Sequence, residues 1–263
     1  MNRLPTGMYL PGDSLIHKLD PRVKLLGLFI SVIAIILVRS LIGYGIILVF
    51  LALTVALSGI SIKIALNSVQ KLSWFFLVIF LMNTFFYSPE NAWFSWWIFK
   101  PSPAGLMQGI DVVLRVIFAL VASNVITSST APMEITNALE ALISPFKLIG
   151  VPAEQIAMIL SIAIQFIPTF SEETEMIRKA QTARGARFDS KKLTEKAAAV
   201  LPLVVPIFLS AFKRADELSI AMEARGYRSA SGRTRKKFAP LQAVDYFALL
   251  IVIAICIFQM IIR

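Results

Sequence analysis

Hydrophobic and polar positions segregate along this chain in blocks the length of whole helices. Apolar runs occupy 25–38, 46–62, 72–87, 105–127 and 247–262. A bilayer-crossing helix needs about 20 mostly apolar residues, so each run, extended by its flanks, predicts a membrane span. Arg39 and the Gly43-Tyr44-Gly45 stretch predict a tight reversal between the first two runs. Lys63 and Lys71 mark a short basic connection between the second and third. Trp93, Trp96 and Trp97 cluster before the fourth, and tryptophan favours the membrane–water interface.

The stretch between the fourth and fifth runs has another character. It is crowded with lysine and arginine, among them Arg178, Lys179, Lys192, Lys213, Arg214 and Arg228. Positive charge accumulates on the cytoplasmic side of membrane proteins, which puts this region inside. By alternation the N-terminal segment and the Lys63–Lys71 connection share that side, and the tryptophan loop and the C-terminus face outward. The expected organisation is an N-terminal cytoplasmic segment with four spans over 1–128, a cytoplasmic region of helices over 129–241, and a last span over 242–263. No cleavable signal peptide is expected, because the first apolar block follows a polar, proline-containing segment. The fold class is all-α membrane protein, with about five transmembrane helices and a cytoplasmic region of three helices.

The first of those three helices is expected after Thr130 as N-cap, with Pro132 and Glu134 in its first turn. The second runs from Pro152 to about Arg184, and the third from Asp189 or Ser190 to about Arg225. Both long helices are apolar first (156–170 and 197–212) and polar afterwards. The apolar halves look short for a span and contain Pro168, Pro202 and Pro206. A membrane hairpin giving seven spans is the alternative to helices that pack under the membrane and project polar halves into the cytoplasm.

Both long helices end in Ala-Arg-Gly: Ala183-Arg184-Gly185 and Ala224-Arg225-Gly226. Arginine near a helix C-terminus and glycine just past it is an ordinary helix stop. Two matching endings on consecutive helices also suit a partner with two similar acidic grooves, because guanidinium is a rigid, permanently charged fork of donors. Asp111 and Arg115 lie four apart within the fourth span. They read as a neutralising pair near the membrane edge, or as part of a substrate or proton path.

Composition narrows the chemistry. The chain has 263 residues, of which 57% are hydrophobic and 16% charged, with a net charge of +10. No aromatic-plus-basic platform for nucleic acid is evident, so the charge is read as the positive-inside signal. The single cysteine, Cys256, and single histidine, His17, build neither a disulfide nor a metal site, and His17 is expected to be structural. The phosphate-loop, HExxH and Gly-x-Ser-x-Gly patterns are missing. Energy for any active transport must then come from ions or from another subunit. A self-sufficient ion-driven transporter remains the alternative, although the inverted repeats it favours are not apparent.

With these features in place, nearly the whole chain resembles the transmembrane T component of energy-coupling factor transporters, an ATP-binding-cassette branch importing vitamins and transition metals. The resemblance rests on YLPGDSLIHKLDPRVKLL at the start, on TSSTAPMEITNALEALISPFKLIGVP and IQFIPTFSEETEMIRKAQTARG, and on ADELSIAMEARGY. Gln165 departs from it, standing where a basic residue is more usual. The resemblance implies a non-catalytic subunit in a bacterial cell membrane that binds no cofactor. ATP and magnesium belong to two partner ATPase subunits, and one or several S components bind the substrate. It further implies that Ala183, Arg184, Gly185, Ala224, Arg225 and Gly226 dock into the ATPases. The apolar halves, including Met158, Ile162, Pro168, Pro202 and Pro206, would form an adaptable platform beneath the S component.

Overall fold

A computed structural model describes residues 9–87, 102–149, 152–186, 188, 190, 192–227 and 240–262. The tryptophan loop and the basic stretch after Tyr227 fall outside these residues. The chain divides into two compact units, Met1–Leu142 with Ala239–Arg263, and Ile143–Phe238. All regular structure among the described residues is helical.

In the first unit a short helix α1 (Leu15–Lys18) precedes α2 (Pro21–Leu37) and α3 (Leu41–Ser58). Two single-turn helices, α4 (Ile62–Ala65) and α5 (Asn67–Lys71), lead to α6 (Ser73–Phe86) and α7 (Pro103–Ser129). Then come α8 (Pro132–Ile143) and, after the second unit, α11 (Ala243–Ile261). The reversal between α2 and α3 falls at Val38-Arg39-Ser40, where Ser40 caps α3 by accepting from the Gly43 amide. Gly43 and Gly45, expected in the turn, therefore lie inside α3. Gly43 is small because Gln259 of α11 packs on it and donates to its carbonyl at 3.0 Å. The expected cap of α8 is also displaced. Thr130 ends α7, and Glu134 bonds back to the Ala131 amide at 3.3 Å.

Helix α7 is the hub of this unit and packs against α2, α3, α5 and α6. Its closest neighbour is α6. A Cβ on Gly105 would stand 2.7 Å from the carbonyl oxygens of Asn83 and Thr84, and one on Gly109 3.1 Å from that of Phe80. Gly105 and Gly109 form a Gly-xxx-Gly pair, which lets two membrane helices touch backbone to backbone. The core joins Ile35 and Val38 of the first hairpin arm, Ile47 and Leu51 of α3, and Phe118 and Ala122 of α7. Outward from it, Phe29, Leu41, Leu48, Trp74 and Leu250 are exposed, as helices that are apolar all round must be when lipid is their solvent.

One end of this unit is tied by buried polar groups. Lys24 donates to the carbonyls of His17 and Ser129, both at 3.0 Å. Asp245 of α11 accepts from the amides of Asp20 and Gln242, both at 2.8 Å. His17 bonds through Nε2 to the Leu10 carbonyl at 2.9 Å and through Nδ1 to Ser14 Oγ at 2.6 Å. A carbonyl only accepts, so Nε2 carries a hydrogen. Leu10 in turn donates to the Ser128 carbonyl at 2.9 Å. His17 thus has the structural role expected of it.

The second unit contains a 3-10 turn over Ser144–Ile149 and two long helices, α9 (Ala153–Ala183) and α10 (Leu193–Ala224). Both continue through their prolines and reach 31 and 32 residues. Among the described residues five helices can cross a membrane by length and composition: α3, α7, α9, α10 and α11. Three of these carry expected spans. The other two expected spans fall on α2 and α6, which are shorter at 17 and 14 residues. Pro168, Pro202 and Pro206 lie inside these helices, whose lengths are close to those expected. Each proline removes only one backbone bond, so both helices keep their full length.

Candidate functional site

The two Ala-Arg-Gly endings have nearly the same geometry. Arg184 and Arg225 occupy the C-cap positions with φ and ψ of −83° and 3°, and −82° and 6°. Gly185 and Gly226 follow with φ of 92° and 70°, a left-handed backbone that glycine adopts without a Cβ penalty. The Gly185 amide donates to the Thr182 carbonyl at 3.0 Å and Ala186 to Gln181 at 3.0 Å. At the second tip Gly226 donates to Glu223 and Tyr227 to Met222, both at 2.9 Å. These paired bonds are the Schellman closure. Both arginines are exposed. Among the described residues, a Cβ on either glycine would meet nothing within 4 Å.

The helices that carry these tips run antiparallel. Tyr227, just past α10, donates to Met158 Sδ near the start of α9 at 3.0 Å. Further along α9, Glu173 meets Arg214 of α10 at 3.5 Å. Position rises along one helix as it falls along the other, so the two arginine tips lie at opposite ends of the pair. The apolar half of each helix consequently lies alongside the polar half of its partner.

Asp111 and Arg115 form the expected i,i+4 pair at 3.8 Å. Arg115 also donates to the Val38 carbonyl at 2.7 Å. Val38 is the C-cap of α2, so the guanidinium sits where a helix end presents partial negative charge. The guanidinium thus links α7 to the end of α2.

Sequence comparison adds what geometry cannot. The profile of the CbiQ family, described as cobalt transport protein, matches residues 12–236. A protein from Acidaminococcus fermentans is 41% identical over 87% of this chain and 85% of its own length. One from Bacillus subtilis is 38% identical over 89% of both chains, and one from Streptococcus thermophilus 37% over 97% of both. All three are named energy-coupling factor transporter transmembrane protein EcfT. The chain belongs to the CbiQ/EcfT family. It is a transmembrane component of an energy-coupling factor transporter.

In this EcfT family member the suggested platform residues divide. Pro168 and Pro202 are exposed, whereas Met158, Ile162 and Pro206 are half-buried, and Met158 is engaged by Tyr227. Sequence reading missed three features. The Gly105–Gly109 pair was visible as a Gly-xxx-Gly motif. The Lys24–Asp245 ties were hidden because their partners are backbone groups distant in sequence. The Glu173–Arg214 pair was hidden because its register depends on how the two helices cross.

Proposed function

We propose that this chain is the coupling subunit of an ATP-driven micronutrient importer, docking two ATPase subunits through Arg184 and Arg225. The observation that carries this reading is the pair of equivalent, exposed arginine tips at opposite ends of one antiparallel helix pair. Two tips of one geometry suit two sockets of one kind, and a pair of related ATPases offers such sockets. Arginine's planar fork bonds a carboxylate in two places, and a helix rising about 1.5 Å per residue is a long lever that carries movement of its tip to its base. The N-terminus and the second unit face the cytoplasm in this reading, as the lysine and arginine excess supports. The exposed apolar residues of α9 and α10, with Ile159, Ile167, Leu201 and Phe208 among them, face the membrane side and support a substrate-binding S component. Substrate identity, vitamin or metal, resides in that component.

The test is co-purification. The tagged chain is extracted from its native cells in mild detergent beside Arg184→Ala/Arg225→Ala. Two ATPases retained by the native chain and lost by the double variant are the expected result. A double variant that keeps both ATPases would refute docking through the tips. Transport by the purified chain alone would revive the ion-driven alternative.

A further inference from the structure

The two arginine tips share more than their local geometry. Arg225 lies 41 residues after Arg184, and Arg214 lies 41 residues after Glu173. Each member of the interhelical ion pair therefore stands 11 residues before its own tip. Eleven residues are about three helical turns, so each charged side chain lies on nearly the same helix face as its arginine and about 16 Å below it. In an antiparallel pair this makes the Glu173–Arg214 contact the midpoint between the tips, which are about 33 Å apart along the pair. The contact is a built one. Arg214 Nη2 reaches Glu173 Oε2 at 3.5 Å, Nε lies 3.5 Å from Ser210 Oγ, and the guanidinium carbon sits 5.9 Å from the centre of the Phe170 ring. Phe170 is itself held edge-on by Phe166. Glu173 is only 20% exposed and Arg214 39%, whereas the other ion pairs described around α9 and α10 join residues three or four apart in sequence.

We propose that Glu173 and Arg214 are positioning residues, a central clamp that fixes how far apart the two arginine tips stand. Resting on the docking reading above, the clamp allows one helix pair to occupy two equivalent sockets at once. Two linked contacts bind more tightly than either alone only when the span between them matches the span between the sockets. A clamp equidistant from both tips sets that span symmetrically.

The test uses the full transporter complex with nitroxide labels at Lys179→Cys and Ile220→Cys in a Cys256→Ser background. These exposed positions also differ by 41 and precede each tip by five residues. Glu173→Arg and Arg214→Glu are each expected to broaden the label-to-label distance distribution. They should also lower ATPase retention on dilution by at least about tenfold, the loss of linked binding. Glu173→Arg/Arg214→Glu should restore both. If a reversal does not accumulate, Glu173→Gln is read in the same assay. An unchanged distribution and unchanged retention in the single variants would overturn the clamp, as would a swap that restores neither. If Arg184→Ala/Arg225→Ala retains the ATPases, the docking reading falls, and the label distances still decide whether the clamp sets the tip separation.

Discussion

Gly185 and Gly226 are constrained by backbone angle and not by space. Replacing either with alanine meets no atom yet places a Cβ in a left-handed conformation costing about 1–2 kcal/mol. Gly185→Ala is expected to unwind the last turn of α9, seen as faster hydrogen exchange at the Gly185 and Ala186 amides. Gly105 is the opposite case, since its Cβ would meet two carbonyl oxygens of α6 at 2.7 Å. Gly105→Ala should lower stability in detergent by about 1–3 kcal/mol as overpacking does, measured by thermal unfolding. Gly43→Ala should cost less, because it meets the end of the Gln259 side chain and not a backbone. The sequence marked the tip glycines correctly, since Arg-Gly after a helical run is a cap signal. It mislabelled Gly43 and Gly45 as a turn, because a glycine needed for close packing looks the same as one needed for a bend. The tip arginines are expected not to tolerate lysine, which lacks the planar fork: Arg184→Lys/Arg225→Lys should weaken ATPase retention nearly as much as the alanine pair.

For the elements, existence and order were legible, and partnership was not. Helices α9 and α10 start and end within a few residues of expectation because Pro152 and the Arg-Gly pairs punctuate them. Their matching patterns, apolar then polar, said nothing about whether the two lie parallel or antiparallel. The short connection between Ala183 and Leu193 and the two cross-contacts decide it. The prolines sit inside both helices, which absorb the single lost bonds as their expected lengths required. One consequence is testable at this scale. Four alanines inserted after Ile177 of α9 would shift Arg184 by about 6 Å and turn it by about 40° relative to Glu173, leaving Arg225 in place. Loss of one ATPase with retention of the other is the expected outcome, read by mass spectrometry of the purified complex. Loss of neither would mean that the tip does not need its register.

Across the whole molecule, the first unit is closed by ties between regions far apart in sequence. Asp245→Ala would strip the side-chain acceptor from the amides of Asp20 and Gln242. Each lost hydrogen bond costs about 0.5–1.5 kcal/mol, so a lowered unfolding temperature is expected, with Asp245→Asn intermediate because it keeps one acceptor. The hydropathy pattern revealed that this unit belongs in a membrane, since long apolar runs have few other uses. It could not reveal that α2 and α11 pack together, because both are apolar on nearly every side and either could face lipid. Their pairing has a consequence for how the protein is made. Asp20 and Asp245 are 225 residues apart, and at about 5–20 residues per second synthesis of the intervening chain takes roughly 10–45 s. Throughout that interval the nascent α2 sits in the bilayer with its partner face open and the Asp20 amide unclaimed. The ribosome must release α11 before the earliest helix has its final neighbour, so a chain stopped anywhere before residue 243 offers membrane proteases an unsealed bundle.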